Sequence, residues 1–385
     1  MNKYDVIIIG AGAAGLSAAT TATNTGHRVL VLDMGPHPAR KVAVSGGGRC
    51  NITNMAADAS RYFGENPNFV RGAIARVSPV DILNWMDAHD LAYTEKAPGQ
   101  YFCASNATDV VNALIKDASS ADIKYNHVVK SVEKQNNEFV VGANDTTYIS
   151  KSLIVASGGV SCGVHGVSDI GYKIAKYFGH KIVPVRPALC AMAIDTPAPE
   201  LMGISIDCEI TIGREIIHDA LLFTHFGIGG PAVYRASVRD ISNGLVINMC
   251  PGIDIYELLR LAKHTNGRRS ISNVLSEHIP MRLARYFGGG DMRNIADIRD
   301  AELKNIADTI NRLKIAGRDI RLHNLASAEI VRGGVSTDLI SSKTMESKIC
   351  PGLFFASEVM DVAGDLGGFN LHWAWASGRI AGNNS

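Results

Sequence analysis

Apolar positions along this chain come as short β-branched runs that end in glycines, the pattern of buried parallel strands feeding tight turns rather than of half-exposed strands. Val6 to Ile9 is followed by Gly10-Ala-Gly12-Ala-Ala-Gly15 and then by the alanine-rich stretch 16–25, which predicts strand, turn and helix. Residues 28–32 predict a second strand, ending at Asp33. LIVASGG (153–159) and GLFFASE (352–358) predict two more strands running into turns, and a glycine turn at 367–368 opens an apolar helix. Between 190 and 250 the pattern breaks into β-rich pieces at 191–194, 207–212 and 245–249, separated by Pro and Gly, which suits a small barrel or sandwich. From Ile255 the period becomes helical, at 255–262, 271–278, 281–287 and 301–313, with Gly288 to Gly290 as a linker.

The chemistry of the first unit follows from its spacing. Gly10 permits the turn, Gly12 lets a pyrophosphate approach the backbone, and Gly15 lets helix and strand pack closely, while the helix N-terminus offers free N–H groups. Asp33 stands where a ribose hydroxyl is bound in dinucleotide sites. NAD and FAD share this fingerprint. The stretch RKVAVSGGGRCNITN (40–54) separates them: three glycines expose several N–H groups to one flat or anionic ligand, and Arg49, Asn51 and Asn54 add donors beside them. A flavin ring with its phosphates uses both. No second strand-GxGxxG-helix unit is present, so no separate NAD(P)H domain is expected. A nicotinamide donor visiting transiently and another reductant both remain open.

Composition adds bounds. A chain of 385 residues with mean hydropathy near zero buries the cores of two or three structural units. Its 38 basic and 37 acidic residues give no global sign of a charged partner. The seven cysteines are scattered and form no C-x-x-C pair, which argues against a metal site and a disulfide framework and for a reducing, cytoplasmic compartment. The N-terminal apolar run is too short for a secretory signal, and no stretch approaches the roughly 20 residues of a membrane span.

GAGAAG, RKVAVSGGGRCNITN, LLFTHFGIGGPAV, GGVST, KTMESK, PGLFFASEVMDV and GGFNLHWAWASG, in this order from residue 5 to about 382, resemble the BaiN/RdsA flavoprotein family, also called aminoacetone-oxidase-like. The resemblance implies an α/β fold with a Rossmann-like FAD-binding domain built from 1–189 and 324–385, an inserted β-barrel-like domain at 190–252, and a basic helical lobe at 253–323. It implies FAD contacts at Gly10, Gly12, Ala14, Gly15, Asp33, Lys41, Gly47, Arg49, Cys50, Asn51, Gly158, Glu358, Gly367, Gly368 and Asn370. Two positions depart from the family pattern: many relatives carry a proline soon after Ser161, and glycine is usual at Ser357.

Flavin chemistry requires a proton as well as a hydride. The segment APGQYFCAS (97–105) lies between two helical stretches, and the Phe-Cys it carries, where many members have proline at the Cys103 position, resembles the subgroup that makes dihydrouridine in large-subunit ribosomal RNA. Cys103 is then the expected acid at C5 of uracil, since a free thiol with a pKa of about 8.5 is protonated near neutrality. A buried packing role is the alternative for Cys103, and packing is the stronger reading for Cys50. His225 is open between a substrate-side role and a hydrogen bond that holds its turn; Tyr101, Phe102 and His165 are candidates to face the base. Residues 260–323 hold 13 Lys or Arg against 7 Asp or Glu, an excess of +6 in a chain of net +1. That is either a solvated helix surface or a footprint for a polyanion, with Arg268, Arg269, Arg282, Arg285 and Arg293 as the expected phosphate contacts and 23S rRNA or a ribosome assembly intermediate as partner. Reduction of a small enone, oxidation of an amine, and a non-catalytic FAD-containing RNA-binding factor are the rivals. The sequence leaves the oligomeric state open.

Overall fold

A computed structural model describes residues 2–163, 167–194, 199–289 and 293–385. The chain divides into two compact units, Met1–Pro187 with Leu325–Ser385, and Ala188–Asn324.

In the first unit, β1 (Asn2–Ile9) pairs in parallel with β2 (Val29–Leu32) on one side and with the long strand Thr146–Val155 on the other. Asp122–Lys124 extends the sheet beyond β2, and Leu353–Phe355 pairs in parallel with the end of Thr146–Val155. An antiparallel meander, Val129–Gln135 and Glu138–Ala143, completes this seven-stranded sheet. Val6, Ile7, Ile8, Leu30, Val31, Leu153 and Phe355 are all buried, which is why these strands read as continuous apolar runs. The mixed α/β class with a Rossmann-type parallel core is as the sequence predicts. Because β1, β2, Thr146–Val155 and Leu353–Phe355 run in one direction, the turns after them lie along one edge, the edge at which parallel sheets bind nucleotides.

Two helices pack together on this unit. The helix α1 (Ala13–Asn24) lies beside the C-terminal helix Phe369–Asn384, and the contact is made by backbone: a methyl group on Gly378 would collide with the carbonyl of Ala14, and one on Gly382 with that of Ala18. Both pairs advance together, so the helices run parallel. Gly368 caps the C-terminal helix ten residues before Gly378, whereas Gly12 caps α1 two residues before Ala14. At 1.5 Å per residue the C-terminal helix begins about 12 Å before α1 along the common axis.

The helix α2 (Arg40–Gly48) is regular only to Val44; Ser45 is extended, and Gly46, Gly47 and Gly48 all have positive φ. It leads into β3 (Asn51–Asn54), which joins Gln100–Cys103 and Tyr93–Ala97 in a three-stranded antiparallel sheet. Pro79–Ala88, closed by a Ser78/Asp81 capping box, and Ala107–Asp117, capped by Asn106, bracket the strand that carries Cys103.

The second unit holds a separate antiparallel sheet of seven strands, with Ser205–Ile212 and Glu215–Thr224 forming its main hairpin. Ile255–Thr265, Ile271–Leu275, Met281–Phe287 and Asp300–Asn311 pack on the same apolar cluster as that sheet through Leu259, Leu275, Leu283, Leu303 and Ile310. No helix among the described residues is long and apolar enough to cross a membrane.

Candidate functional site

The turn after β1 is built for close packing at two glycines and for open space at the third. A methyl on Gly10 would meet the Ala156 carbonyl oxygen at 2.5 Å, and one on Gly15 would overlap the Gly10 carbonyl, whereas one on Gly12 would meet nothing within 4 Å. Gly12 caps α1 with no side-chain acceptor, and the first turn of that helix, where Ala14 lies, holds no acidic residue. The N–H groups and positive end of the helix dipole are thus available to an anion. Asp33 is buried, accepting from the Ala11 and Gly35 backbone N–H groups at 2.7 Å each, with the Arg40 guanidinium 3.4 Å away. These contacts leave lone-pair directions on its two oxygens for a hydroxyl donor.

The loop after Val44 forms a second open surface. Gly47 and Gly48, at φ +67° and +80°, line space empty to 4 Å, while Gly46 packs against the Phe102 ring and the Asn51 backbone N–H. Arg49 is exposed beside them. Cys50 points inward: it has no exposed surface, and burial pushes its thiol from 9.0 up to about 12, so it stays protonated and serves the packing of the loop. The Asn51 Oδ1 atom is buried with no partner, close to Gly368 at the N-terminus of the last helix. Gly367 and Gly368, at φ +114° and +95°, bring that N-terminus against Gln100 and the Thr53 carbonyl. Asn54 donates to the Gly367 carbonyl oxygen, and the Asn370 side chain is spent on the turn, accepting from Gly364 N–H and donating to its carbonyl.

A polar cluster lies between these surfaces. Lys41 Nζ donates to Glu358 Oε2 at 2.7 Å and to Ser161 Oγ at 2.9 Å; Glu358 Oε1 lies 3.0 Å from Ser161 Oγ and accepts from Val331 N–H at 2.8 Å. Gly158, at φ +72°, lines open space next to it, while Gly159 packs against Glu358. The sequence marked Ser161 only as the start of a departure from the family pattern and gave it no site role, and Val331, which acts through its backbone, carried no signal at all.

These observations test the fit of a dinucleotide. Gly12, Gly47, Gly48 and Gly158 line open space, the helix starting at Ala13 is uncapped, and a buried acceptor at Asn51 lacks a donor, so the residues present fit a ligand with a pyrophosphate, hydroxyls and a flat ring bearing an N–H.

The expected proton donors are placed differently from one another. Cys103 belongs to the first unit, on the strand facing β3; its backbone N–H donates to the Arg49 carbonyl, and its side chain has no exposed surface. Its Sγ lies 3.3 Å from Ser105 Oγ, which bonds onward to Asp109. Complete burial beside Cys50 favours a packing role for this thiol. His225 lies in the second unit, exposed, with its ring 4.6 Å from that of Phe226, which stacks on His323 at 4.3 Å. His165 lies outside the described residues. Of the expected phosphate contacts, Arg269 pairs with Glu277 and Arg293 with Glu302, and Arg282 bonds the Glu200 and Met202 carbonyls. Arg268 and Arg285 are exposed and have no ion-pair partner among the described residues.

A family model described as the HI0933-like protein Rossmann domain matches residues 4–384. A ribosomal RNA dihydrouridine synthase of Escherichia coli is 35% identical over 393 residues, covering 98% of this chain and 96% of its own, and one of Haemophilus influenzae is 36% identical, covering 98% and 97%. A 3-dehydro-bile acid delta(4,6)-reductase of Clostridium scindens is 26% identical, covering 97% of each chain.

Proposed function

Because the chain belongs to the HI0933-like Rossmann family, we propose that it is an FAD-dependent oxidoreductase that reduces a uridine of 23S ribosomal RNA to dihydrouridine. The observation that carries the cofactor is the set of open glycines together with the orphan Asn51 acceptor. Gly12 and the first turn of α1, with Ala14, would hold the pyrophosphate, Asp33 would take a ribose hydroxyl, and Gly158 with the Lys41–Glu358 pair would line the same open surface. Gly47, Arg49 and Asn51 and the N-terminus after Gly368 receive the ring, where a helix N-terminus favours negative charge. Bound and reduced by NAD(P)H or another hydride donor, FAD supplies a hydride.

Uracil suits such a site because its C5=C6 bond is conjugated to the C4 carbonyl: hydride enters at C6, negative charge spreads over C5 and O4, and a protein acid closes the reaction at C5. The base must leave its stack, which costs a few kcal/mol and favours loops or assembly intermediates. The basic helices at 253–323, with Arg268 and Arg285 unpaired among the described residues, supply the phosphate contacts in this reading. A small enone is the second reading, favoured by the similarity to the bile acid reductase.

The test is deletion of the gene followed by nucleoside mass spectrometry of 23S rRNA. Loss of dihydrouridine, restored by the wild-type gene, supports the RNA reading; an unchanged level sinks it and advances the enone. Restoration by Cys103→Ala confines that thiol to packing, whereas failure of a folded, FAD-loaded Cys103→Ala protein makes it the acid.

A further inference from the structure

We infer that Glu329 is the acid that protonates C5, a role that rests on the uridine reading above. Glu329 immediately precedes the strand Ile330–Val335, whose Val331 N–H is bonded to Glu358. Its own backbone carbonyl lies 3.2 Å from Ser161 Oγ, the hydroxyl that also touches Lys41 and Glu358. The backbone of Glu329 is thereby tied to the Lys41–Ser161–Glu358 cluster.

Its side chain differs from every other carboxylate of that cluster and its surroundings. Asp33 accepts from two backbone N–H groups, Glu358 is tied by Lys41 and Val331, and Asp361 is sealed in the interior, accepting from Glu65 and Gly333 N–H. The Glu329 carboxyl has no hydrogen-bond or ion-pair partner among the described residues, and it is solvent-accessible. Surrounding protein nevertheless raises its pKa above the usual carboxylate value by desolvation, with Lys41 acting in the opposite sense. Access together with desolvation is the condition of a side chain on a concave wall. The other titratable groups facing the cluster are Glu358 and the buried phenol of Tyr172, whose hydroxyl has no partner. A carboxyl that is accessible, unpaired and biased toward its protonated form can give up a proton to a reacting atom and recover it from water. None of the fixed carboxylates combines those properties.

The step balances. The C5=C6 bond gains a hydride at C6, supplied as stated above, and its π electron pair forms the new C5–H bond with the proton of Glu329. The carboxylate left behind is reprotonated by water, and the spent cofactor is re-reduced by the hydride donor.

The experiment compares wild type with Glu329→Gln and Glu329→Asp. Flavin fluorescence gives FAD affinity, carboxyl titration by NMR on the FAD-free protein gives the acidity of residue 329, and rates of dihydrouridine formation on 23S rRNA transcripts are followed against pH. Expected are a carboxyl titrating above 4.5 that disappears in Glu329→Gln, FAD affinity within about twofold of wild type, and a rate lower by roughly 10²-fold or more, with partial recovery in Glu329→Asp. A Gln variant with wild-type rate and pH profile overturns the assignment, and so does loss of FAD binding in step with rate, which would make Glu329 a cofactor-holding residue. Failure of the wild type itself to form dihydrouridine refutes the uridine reading, and this inference with it; a competent wild type matched by its Gln variant refutes only the inference.

Discussion

Lys41 and Glu358 lie 317 residues apart in the chain and 2.7 Å apart in space. The pair joins α2 to the turn after Leu353–Phe355, and Ser161 bridges its two members. Lys41 keeps about a third of its side-chain surface in water, so the pair contributes modestly. A double-mutant cycle with Lys41→Met and Glu358→Gln, read from urea denaturation of the FAD-free protein, should give a coupling of about 1 kcal/mol.

The glycines of the first turn should respond in opposite ways to the same substitution. Gly12→Ala places its methyl in open space at ordinary φ, so the FAD-free protein should melt within about 2 °C of wild type while FAD affinity falls tenfold or more. Gly15→Ala drives a methyl into the Gly10 carbonyl and should leave little folded protein. Differential scanning fluorimetry with and without FAD separates the two.

His372 is completely buried with its Nδ1 2.8 Å from Thr53 Oγ1, and burial lowers its pKa from 6.5 to about 4. The folded state keeps the imidazole neutral where the unfolded chain binds a proton. Stability is therefore complete above about pH 6.5 and falls as pH drops toward 4, by up to about 3 kcal/mol from this group. Urea midpoints at pH 7 and pH 5 should differ more for wild type than for His372→Gln.

Ser357 occupies φ +69°, a left-handed backbone conformation that favours glycine. Its backbone N–H accepts no change of partner on substitution, since it donates to Ser377 Oγ, and its carbonyl accepts from Trp373 Nε1. Ser357→Gly relieves left-handed strain of about 1 kcal/mol and gives part of it back through the freer unfolded chain. A rise of one to a few degrees in Tm is expected.

Arg268 and Arg285 should act on RNA binding through charge alone. Each substitution to Ala should weaken binding to all sequences and shallow the slope of log K against log salt by about 1 or less. Arg269 and Arg293, already paired with Glu277 and Glu302, should change it less.

The parallel strands and the turn glycines were legible because burial on both faces and close backbone approach each leave a residue-type signature. Cys103 and Glu329 show where that legibility ends. The Phe-Cys pair suggested an acid, yet depth is set by how Gln100–Cys103 packs against β3, which no local pattern encodes. Glu329 is a single acid before an apolar strand, and only the meeting of residues 41, 161 and 358 around it distinguishes it from a surface glutamate. The charge count likewise says how much net charge the lobe carries but not which arginines are free: Arg269 and Arg293 are held by Glu277 and Glu302, while Arg268 and Arg285 have no ion-pair partner among the described residues.

The backbone contact of Gly378 and Gly382 with Ala14 and Ala18 joins two segments made at widely separated times during synthesis. The first glycine turn and α1 are translated long before Phe369–Asn384, so α1 waits on the nascent chain without the helix it packs against, and the two-helix layer closes late in folding.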